Sequence, residues 1–211
     1  MTDKLSHLEQ DRVFHITSSE HVADIGRVGL LPNTVRGELE SWRLAEQLID
    51  IVRPPKIVAM NITRAKGIFA HPYIETLRKH SLGTHNVQRG SSPVVIGIDV
   101  DPHKVMVADS FIFDDVDRET AVALETGVSV DTLREATQYA REYWDNAMSL
   151  ADFRKNYTRV DHGVQGSEYL RGDDAPMYLP YQILSPEVII PGPVAPGQVE
   201  WAASIVTSKT R

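Results

Sequence analysis

The stretch VFHITSSEHVADIGRVGLLPN, residues 13–33, places a histidine inside an otherwise apolar segment. Val13, Phe14 and Ile16 are typical of a short buried strand. His15 therefore lies just before the point where this strand gives way to a helix. A histidine in that position is a satisfied core residue, a metal ligand or a group directed into a cleft, and the rest of the sequence must decide between these three roles.

The residues after this strand carry the signals of a helix start and a helix end. Thr17 and Glu20 have the three-residue spacing of a capping box, which opens a helix. Apolar side chains then recur at helical spacing over residues 22–28. Gly29 follows at the position where a left-handed residue ends many helices. The stretch therefore predicts a strand, a capped helix and a glycine stop in succession.

The composition is that of an ordinary folded protein. The chain has 211 residues, of which 42% are hydrophobic and 24% are charged. It contains no apolar run long enough to span a bilayer, so we expect no membrane association. The length is most simply read as a single domain, residues 1–211, with a sizeable core.

The formal charge of −7 and the absence of cysteine exclude several classes of function. An acidic chain lacks the broad basic surface that neutralises many phosphates, although a local basic cleft is compatible with it. Without cysteine there are no disulfides, no thiolate zinc sites and no cysteine nucleophile. The N-terminal segment MTDKLSHLEQDR lacks the apolar core of a secretory signal, so we expect a cytoplasmic protein, with signal-independent export left open.

Hydrophobic periodicity predicts strands towards both ends of the chain and helices in the middle. After the opening strand and helix, further strands are predicted at residues 57–62, 67–70, 93–100, 104–108 (as the neighbour of 93–100), 167–170, 181–184, 188–190 and 199–206. Helices are predicted at residues 38–52, 72–80, 118–126 and 130–148, and a polar loop at residues 81–92. This order is typical of an α+β fold rather than of alternating βαβ units. Neither a Rossmann glycine pattern nor a Walker loop is present.

Asp99, Asp101 and His103, in the string DVDPH, form the most metal-like group of the sequence. On alternate strand positions they would share one face, and carboxylate and imidazole ligands suit several divalent ions. An Asp-Pro turn explains the same residues without a metal. The eight histidines show no HxxxH or HExxH spacing, and the string GVQGSE does not fit the GxSxG elbow of a serine hydrolase. The sequence therefore supports neither a metal site nor a serine nucleophile.

Three separated segments carry the remaining chemical signal. We call them the histidine motif (residues 13–32), the glycine-aromatic motif (AKGIFAHPYIETLRKH, residues 65–80) and the glutamate motif (QGSEYLRGDDAPMYLPYQI, residues 165–183). Together they resemble the ADP-ribosyltransferase superfamily, in the branch whose first motif begins with a histidine. The order and spacing of the segments carry this resemblance, which spans residues 12–190 and is nearest to the DarT-type enzymes that modify DNA.

The resemblance implies two small facing antiparallel sheets with helices packed outside, and NAD held as a substrate in the cleft between the sheets. It also implies cleavage of the bond between nicotinamide and ribose through an oxocarbenium-like state. A carboxylate near the ribose stabilises that positive charge, as carboxylates do in glycoside hydrolysis. The resemblance gives this catalytic role to Glu168, at the head of the strand in SEYL. Without the resemblance, Glu168 is a surface glutamate at a strand end.

The same resemblance assigns residues to NAD binding. His15 would hold a ribose hydroxyl, since imidazole can donate and accept in one site, and Thr17 would line the same wall. Tyr73 or His80 would stack on nicotinamide: Tyr73 is the aromatic residue of the second motif's helix, whereas His80 has the spacing closer to the family's tyrosine. Arg64, just before the GIFA strand, would meet a phosphate or a substrate anion.

The sequence thus predicts an enzyme that transfers ADP-ribose from NAD to a macromolecule, protein or nucleic acid, and releases nicotinamide. An inhibitor or antitoxin protein is a further candidate partner. Two alternatives stay open. One is an RNA 2′-phosphotransferase, which shares the fold but should carry more basic residues. The other is a non-catalytic binding module of the same fold, which would recognise a protein through residues 81–92 and the long helix.

Overall fold

The computed structural model describes residues 11–32, 39–74, 93–161 and 167–201. Within these ranges the chain forms a mixed α+β structure with three small antiparallel sheets and six α-helices. The strands are β1 (Arg12–Ser18), β2 (Gly67–Ala70), β3 (Pro93–Asp99), β4 (Met106–Asp109), β5 (Met148–Ser149), β6 (Tyr157–Asp161), β7 (Ser167–Arg171), β8 (Gln182–Ile183), β9 (Pro186–Pro191) and β10 (Val199–Trp201). The helices are α1 (Val22–Val28), α2 (Glu40–Ile51), α3 (Pro55–Ala59), α4 (Ser110–Thr126), α5 (Arg134–Asp145) and α6 (Leu150–Asn156).

The first sheet has the strand order β1-β3-β10, with both outer strands antiparallel to β3. Its central strand reads PVVIGID, and Val95, Ile96 and Ile98 are at most 1% exposed. Such a continuous apolar run is expected where both faces of a strand are covered. Here Val95 belongs to one core cluster and the other two residues to another. The sheet therefore lies between two apolar layers.

The second sheet has the strand order β2-β9-β4-β5 and separates the core cluster that contains Ile96 and Ile98 from a further core cluster. Val188 and Ile190 of β9 pack into the same cluster as Val107 of β4, whereas Ile189 and Met106 pack into a cluster on the opposite side. This division follows from the two-residue period of a strand. The side of Ile189 is covered by α2, α4 and α5. The third sheet, with the order β6-β7-β8, carries the glutamate motif.

The helical layer is centred on two large aromatic residues of α5. Tyr143 and Trp144 are completely buried. The Trp144 indole Nε1 donates to the Ile49 carbonyl oxygen of α2 at 2.7 Å, so the polar atom of this buried ring is satisfied. Trp42 of α2 packs edge-on against Phe113 of α4, with 4.5 Å between ring centroids. These contacts join the three long helices into one layer.

The opening stretch is a strand followed by a helix, as predicted, but the predicted cap is wrong. Strand β1 continues through Ser18, and the Ser18 hydroxyl accepts from the backbone N–H of Glu20 at 3.2 Å. Thr17 therefore stays in the strand, where it pairs with Val94. A single 3₁₀ turn, Ser19–His21, then leads into α1. The role predicted for the Thr17 hydroxyl is taken by the next residue because the strand is one residue longer.

The predicted glycine stop is confirmed. Gly29 follows α1 with φ +81°, a conformation that L side chains rarely adopt. A β carbon at this position would overlap the Val194 carbonyl oxygen, which accepts from the Leu30 N–H at 3.0 Å. Gly29 is thus required both by its backbone conformation and by the close approach of the two chain segments.

Three structural predictions need correction. Residues 57–62 are not a strand, because Pro54 and Pro55 open α3, which ends before Asn61 at φ 56°. Strand β4 pairs with β5 and β9 rather than with β3. The described residues form three small sheets where two were expected, because β6, β7 and β8 build a sheet of their own.

Other predicted elements are confirmed with shifted ends. Strand β2 has the predicted bounds, and α2 lies within the predicted helix at residues 38–52. Helix α4 begins eight residues before the predicted start, at Ser110, because Asp109 caps it by accepting from the Phe111 N–H. Most of the predicted helix at 72–80, and the whole predicted loop at 81–92, lie outside the described residues. In the described part of the chain, no helix has both the length and the apolar character needed to cross a bilayer.

Candidate functional site

Glu168 lies in the central strand of the third sheet. It pairs with Val160 across β6, and its side chain is partly exposed. The Gln182 amide Nε2, on β8, donates a hydrogen bond to Glu168 Oε2. Gln182 pairs with Leu170, two residues along β7 from Glu168, so the amide and the carboxylate share one face of the sheet. This bond fixes the direction of the carboxylate and leaves it on an accessible face.

The short strand that carries Gln182 is anchored by a buried carboxylate. Asp109, 7% exposed, accepts from the backbone N–H of Leu184 at 2.9 Å and of Ser185 at 3.0 Å. In the reverse direction, the Ser110 N–H donates to the Ser185 carbonyl oxygen at 2.9 Å. A two-residue strand has little stability of its own, so these bonds from the start of α4 hold β8 beside β7. Asp109 thereby acts on Glu168 through Gln182.

His15 connects the histidine motif to the glycine-aromatic motif. Its Nδ1 lies 2.6 Å from the Phe69 carbonyl oxygen of β2. A carbonyl oxygen only accepts, so Nδ1 carries the proton of this hydrogen bond. The backbones of Phe14 and His71 also bond each other in both directions, at 2.9 and 2.7 Å. The first two motifs are therefore in direct contact, and His15 is a partly exposed residue rather than a fully buried one.

Thr17 lies on the same face of β1 as His15, because residues two apart on a strand point to one side. Both side chains are partly exposed, whereas Val13, on the same face, is fully buried. This face therefore changes from core to accessible surface along the strand. Phe14 and Ile16 point the other way and pack with Val95. His15 and Thr17 thus share one face of β1, and their contact with NAD stays a prediction.

Tyr73 connects the glycine-aromatic motif to the glutamate motif. Its ring stacks on that of Tyr169, with 5.8 Å between centroids and 9° between ring planes. The Arg154 guanidinium lies 5.6 Å from the Tyr73 ring and donates to the carbonyl oxygens of Arg12, at 2.6 Å, and of Pro72, at 2.8 Å. Arg154, on α6, thus fixes the segment that carries Tyr73 against the start of β1.

Tyr73 and Glu168 do not lie on the same side of β7. Tyr169, the partner of Tyr73, is 1% exposed, and the neighbouring Glu168 must point to the opposite face. Tyr73 is therefore packed against the core, where its ring contacts Tyr169 rather than facing the carboxylate. The alternative stacking residue, His80, lies outside the described residues. The structure thus joins the three motifs but gives Tyr73 a packing role.

Arg64 is buried and paired, which differs from the predicted contact with a phosphate. Its side chain is 3% exposed and lies between Glu187 of β9, at 3.1 Å, and Glu46 of α2, at 3.5 Å. Its guanidinium carbon lies 3.4 Å from the centroid of the Phe113 ring. A phosphate could reach Arg64 only by displacing these partners from the core. We therefore correct the interpretation of Arg64 from anion ligand to structural cation.

The environment of Arg64 shifts the pKa of its neighbours. Burial works against the charge of Arg64, but attraction to Glu187, Tyr143 and Glu46 leaves its pKa raised. Tyr143 donates its hydroxyl to Glu187 at 2.7 Å, and burial and the Glu187 charge raise its pKa well above the ordinary value. Burial also raises the pKa of Asp50, although it accepts from the backbone N–H groups of Arg64 and Ala65. The cluster holds a paired cation and a tyrosine that stays protonated.

The metal-like string DVDPH is a turn in the structure. Asp99 pairs with Arg12 at 2.9 Å, and Asp101 accepts from the His103 backbone N–H at 3.0 Å. Over the ranges that the structure describes, no group of three or more acidic or histidine side chains is placed to hold a metal ion. A cavity of about 410 Å³ between α4 and the start of α5 is lined by seven residues, none of which belongs to the three motifs: Glu119, Val122, Thr126, Asp131, Thr132, Arg134 and Glu135.

Sequence reasoning missed Gln182, Asp109 and Arg154. Gln182 had a usable signal, since a polar residue inside a predicted strand that follows the Glu168 strand is a candidate partner across a hairpin. The other two residues lack such a signal, because their roles depend on contacts with segments distant in the sequence. Arg154, for example, contacts a carbonyl oxygen 142 positions away.

Comparison with known proteins gives no match to this chain. No protein-family model matches it, and no curated protein or solved structure resembles it at a significant level. The function must therefore be argued from the site itself.

Proposed function

We propose that this protein is an ADP-ribosyltransferase that uses NAD as its substrate and carries the corresponding fold. Glu168 is the catalytic carboxylate, and His15 and Thr17 hold the ribose side of NAD. This proposal joins the resemblance of the three motifs to the contacts between them. It assigns the whole chain, residues 1–211, to a single catalytic domain.

The proposed reaction breaks the bond between the nicotinamide nitrogen and the ribose carbon, and nicotinamide leaves with the bonding electrons. The acceptor's nucleophilic atom forms the new bond to that carbon, and its proton passes to Glu168 or to solvent. Glu168 stabilises the positive charge that develops on the ribose, and this is a transition-state effect. Gln182 keeps the carboxylate oxygen in one direction while this charge forms.

The observation that carries the proposal is that the three motifs are in direct contact. His15 bonds the Phe69 carbonyl oxygen, and Tyr73 of the same motif stacks on Tyr169 of β7, the strand that presents Glu168 on its other face. Segments that are more than 150 positions apart in sequence are thereby brought into one assembly. The residues fit a ribose-binding site in chemistry, since an imidazole, a hydroxyl and a carboxylate all form hydrogen bonds with sugar hydroxyls.

The proposal is tested by nicotinamide release from NAD, measured with the wild-type protein and with Glu168→Gln. Glutamine keeps the size of the side chain and one oxygen that can accept from Gln182, but it removes the negative charge. We expect the variant to lose at least ~100-fold in turnover, the order found when a transition-state electrostatic contact is removed. NAD should still raise the melting temperature of the variant, because ligand binding to the native state stabilises it.

The same two measurements separate the alternatives. A Glu168→Gln variant that releases nicotinamide at the wild-type rate contradicts the catalytic assignment. A non-catalytic binding module should give a different result: NAD does not raise the melting temperature of the wild-type protein, and the protein releases no nicotinamide from NAD. An RNA 2′-phosphotransferase would need a 2′-phosphorylated RNA together with NAD before nicotinamide appears, so adding that RNA identifies it.

A further inference from the structure

The loop that joins β7 to β8, residues 172–181, presents large apolar side chains to solvent. We call it the aromatic loop. Met177, Tyr178 and Tyr181 are 82%, 84% and 67% exposed. Single exposed apolar residues are common on protein surfaces, whereas several on one short loop indicate an interaction surface. The aromatic loop is therefore a candidate for partner binding.

The aromatic loop is held in one conformation by its own backbone contacts. The Arg171 N–H donates to the Tyr181 carbonyl oxygen at 2.9 Å and closes the base of the loop. The Arg171 guanidinium donates to the Leu179 carbonyl oxygen at 2.6 Å, and the Tyr157 hydroxyl donates to that of Pro180, also at 2.6 Å. Burial raises the pKa of Tyr157 to about 12, so it remains a donor at neutral pH. A partner thus meets a loop whose backbone is already held in place, which lowers the entropy cost of binding.

The charges on the loop favour a cationic partner over a nucleic acid. Asp173 and Asp174 are both exposed, and the whole chain carries a formal charge of −7. The cation at the base of the loop, Arg171, already donates to loop carbonyl oxygens. Phosphates would be repelled by the two carboxylates, whereas an arginine or a lysine is attracted both by carboxylates and by the faces of tyrosine rings.

The position of the loop relates it to the proposed catalytic carboxylate. The loop leaves β7 after Arg171, three residues from Glu168, and re-enters the sheet at Gln182, which bonds Glu168. At the rise of an extended strand, three residues correspond to about 10 Å. A partner segment on the loop would therefore lie within a few residues' length of the reacting centre.

We propose that the aromatic loop docks a cationic segment of an acceptor protein. Arginine or lysine side chains of that segment lie over the rings of Tyr178 and Tyr181 and beside Asp173 and Asp174. The inference rests on the proposed transferase function for the identity of the partner as an acceptor. The docking itself requires no turnover, so it is measured by binding alone.

The test compares three fluorescent probes with the full chain by fluorescence anisotropy: an arginine-containing peptide with glycine and serine spacers, its glutamate counterpart, and an oligothymidylate. The arginine peptide should bind best. Its affinity should fall about tenfold in Tyr178→Ala, which loses a cation–π contact. In a separate double variant, Asp173→Asn with Asp174→Asn, the affinity should also fall about tenfold because two charge contacts are lost. Tyr178→Phe keeps the ring and should retain binding. Val130→Ala, at an apolar residue that is 88% exposed elsewhere, is the matched control.

Each other outcome overturns the proposal. Arginine-peptide binding that no loop variant weakens reflects only the overall negative charge. Tighter binding of the oligothymidylate identifies a nucleic-acid surface instead, and binding of none of the probes removes the docking role. The unfolding midpoint of each variant verifies that the fold is retained. Glu168→Gln should bind the peptide like wild type. Loop-dependent peptide binding by a wild-type protein that cleaves no NAD would refute the transferase function and keep the docking surface.

Discussion

At the scale of single residues, Glu168 depends on an amide 14 positions away in sequence. Gln182→Ala removes the donor that orients the carboxylate while leaving Glu168 in place. We expect the turnover number for NAD cleavage to fall about tenfold, the order of one hydrogen bond, with an unchanged KM for NAD. Thr158→Val is the matched control and should keep full activity. Thr158 lies on the same face of the sheet and pairs with Leu170 from β6, as Gln182 does from β8. Equal loss in both variants would mean that the sheet, rather than the hydrogen bond, was disturbed.

Asp50 gives a prediction about pH. Because burial raises its pKa in the folded state, this state holds the proton more tightly than the unfolded chain does. Stability from this group is therefore complete below its ordinary value of 3.8 and declines as the pH rises towards the folded-state pKa. The melting temperature of wild type should fall relative to that of Asp50→Asn, which has no proton to lose at this position, as the pH rises through that window. A melting temperature of wild type that rises relative to the variant would contradict the burial assignment.

At the scale of elements, substitutions at two glycines with positive φ distinguish the cost of backbone strain from the cost of a steric clash. Gly29 and Gly127 have φ values of +81° and +101°, but only Gly29 has neighbours within 4 Å of an added β carbon. Gly127→Ala should cost about 1–2 kcal/mol of unfolding free energy, the penalty for placing an L side chain there. Gly29→Ala should cost clearly more, because the Val194 carbonyl oxygen must also move. Urea unfolding of both variants measures the two free energies. Equal costs would contradict the clash, because they would show that the Val194 backbone moves aside without loss of stability.

The sequence predicted correctly those elements that are determined by neighbouring residues along the chain. Strand β2 was predicted with its observed bounds, and Gly29 was identified as a stop, because a glycine and its flanking apolar residues report on the backbone directly. Residues 57–62 were wrongly predicted as a strand. In so short a run, their apolar residues fit either a strand or a helix, and Pro55 favours a helix because proline is tolerated in the first helical turn.

The candidate site was predictable only in part, for the same physical reason. Glu168 and His15 stand in recognisable strings, so they could be named from sequence. The bond of Gln182 to Glu168 depends on the register of a two-residue strand, and the burial of Arg64 depends on Glu187, 123 positions away. No local pattern contains such a contact. The sequence therefore indicates which residues carry chemistry better than it indicates which residues hold them.

At the scale of the whole molecule, Arg64 joins three parts of the chain. It contacts Glu46 of α2 and Glu187 of β9, and Glu187 in turn accepts from Tyr143 of α5. Arg64→Met should lower the free energy of unfolding by about 3–5 kcal/mol, because it leaves two carboxylates buried without their cation. Arg27→Met, which removes an exposed ion pair with Asp24, should leave urea unfolding unchanged. Similar small effects for both variants would refute the structural role of Arg64.

Transfer of label from NAD to a macromolecule decides whether the whole assembly is a transferase. NAD labelled in its adenosine half is incubated with the purified protein and cell lysate, and acid-precipitable label is counted before and after protease or nuclease treatment. Wild type should transfer label, protease should release it, and Glu168→Gln should transfer at least ~100-fold less. Equal labelling by both proteins, or nicotinamide release with no label on any macromolecule, would contradict the proposed function.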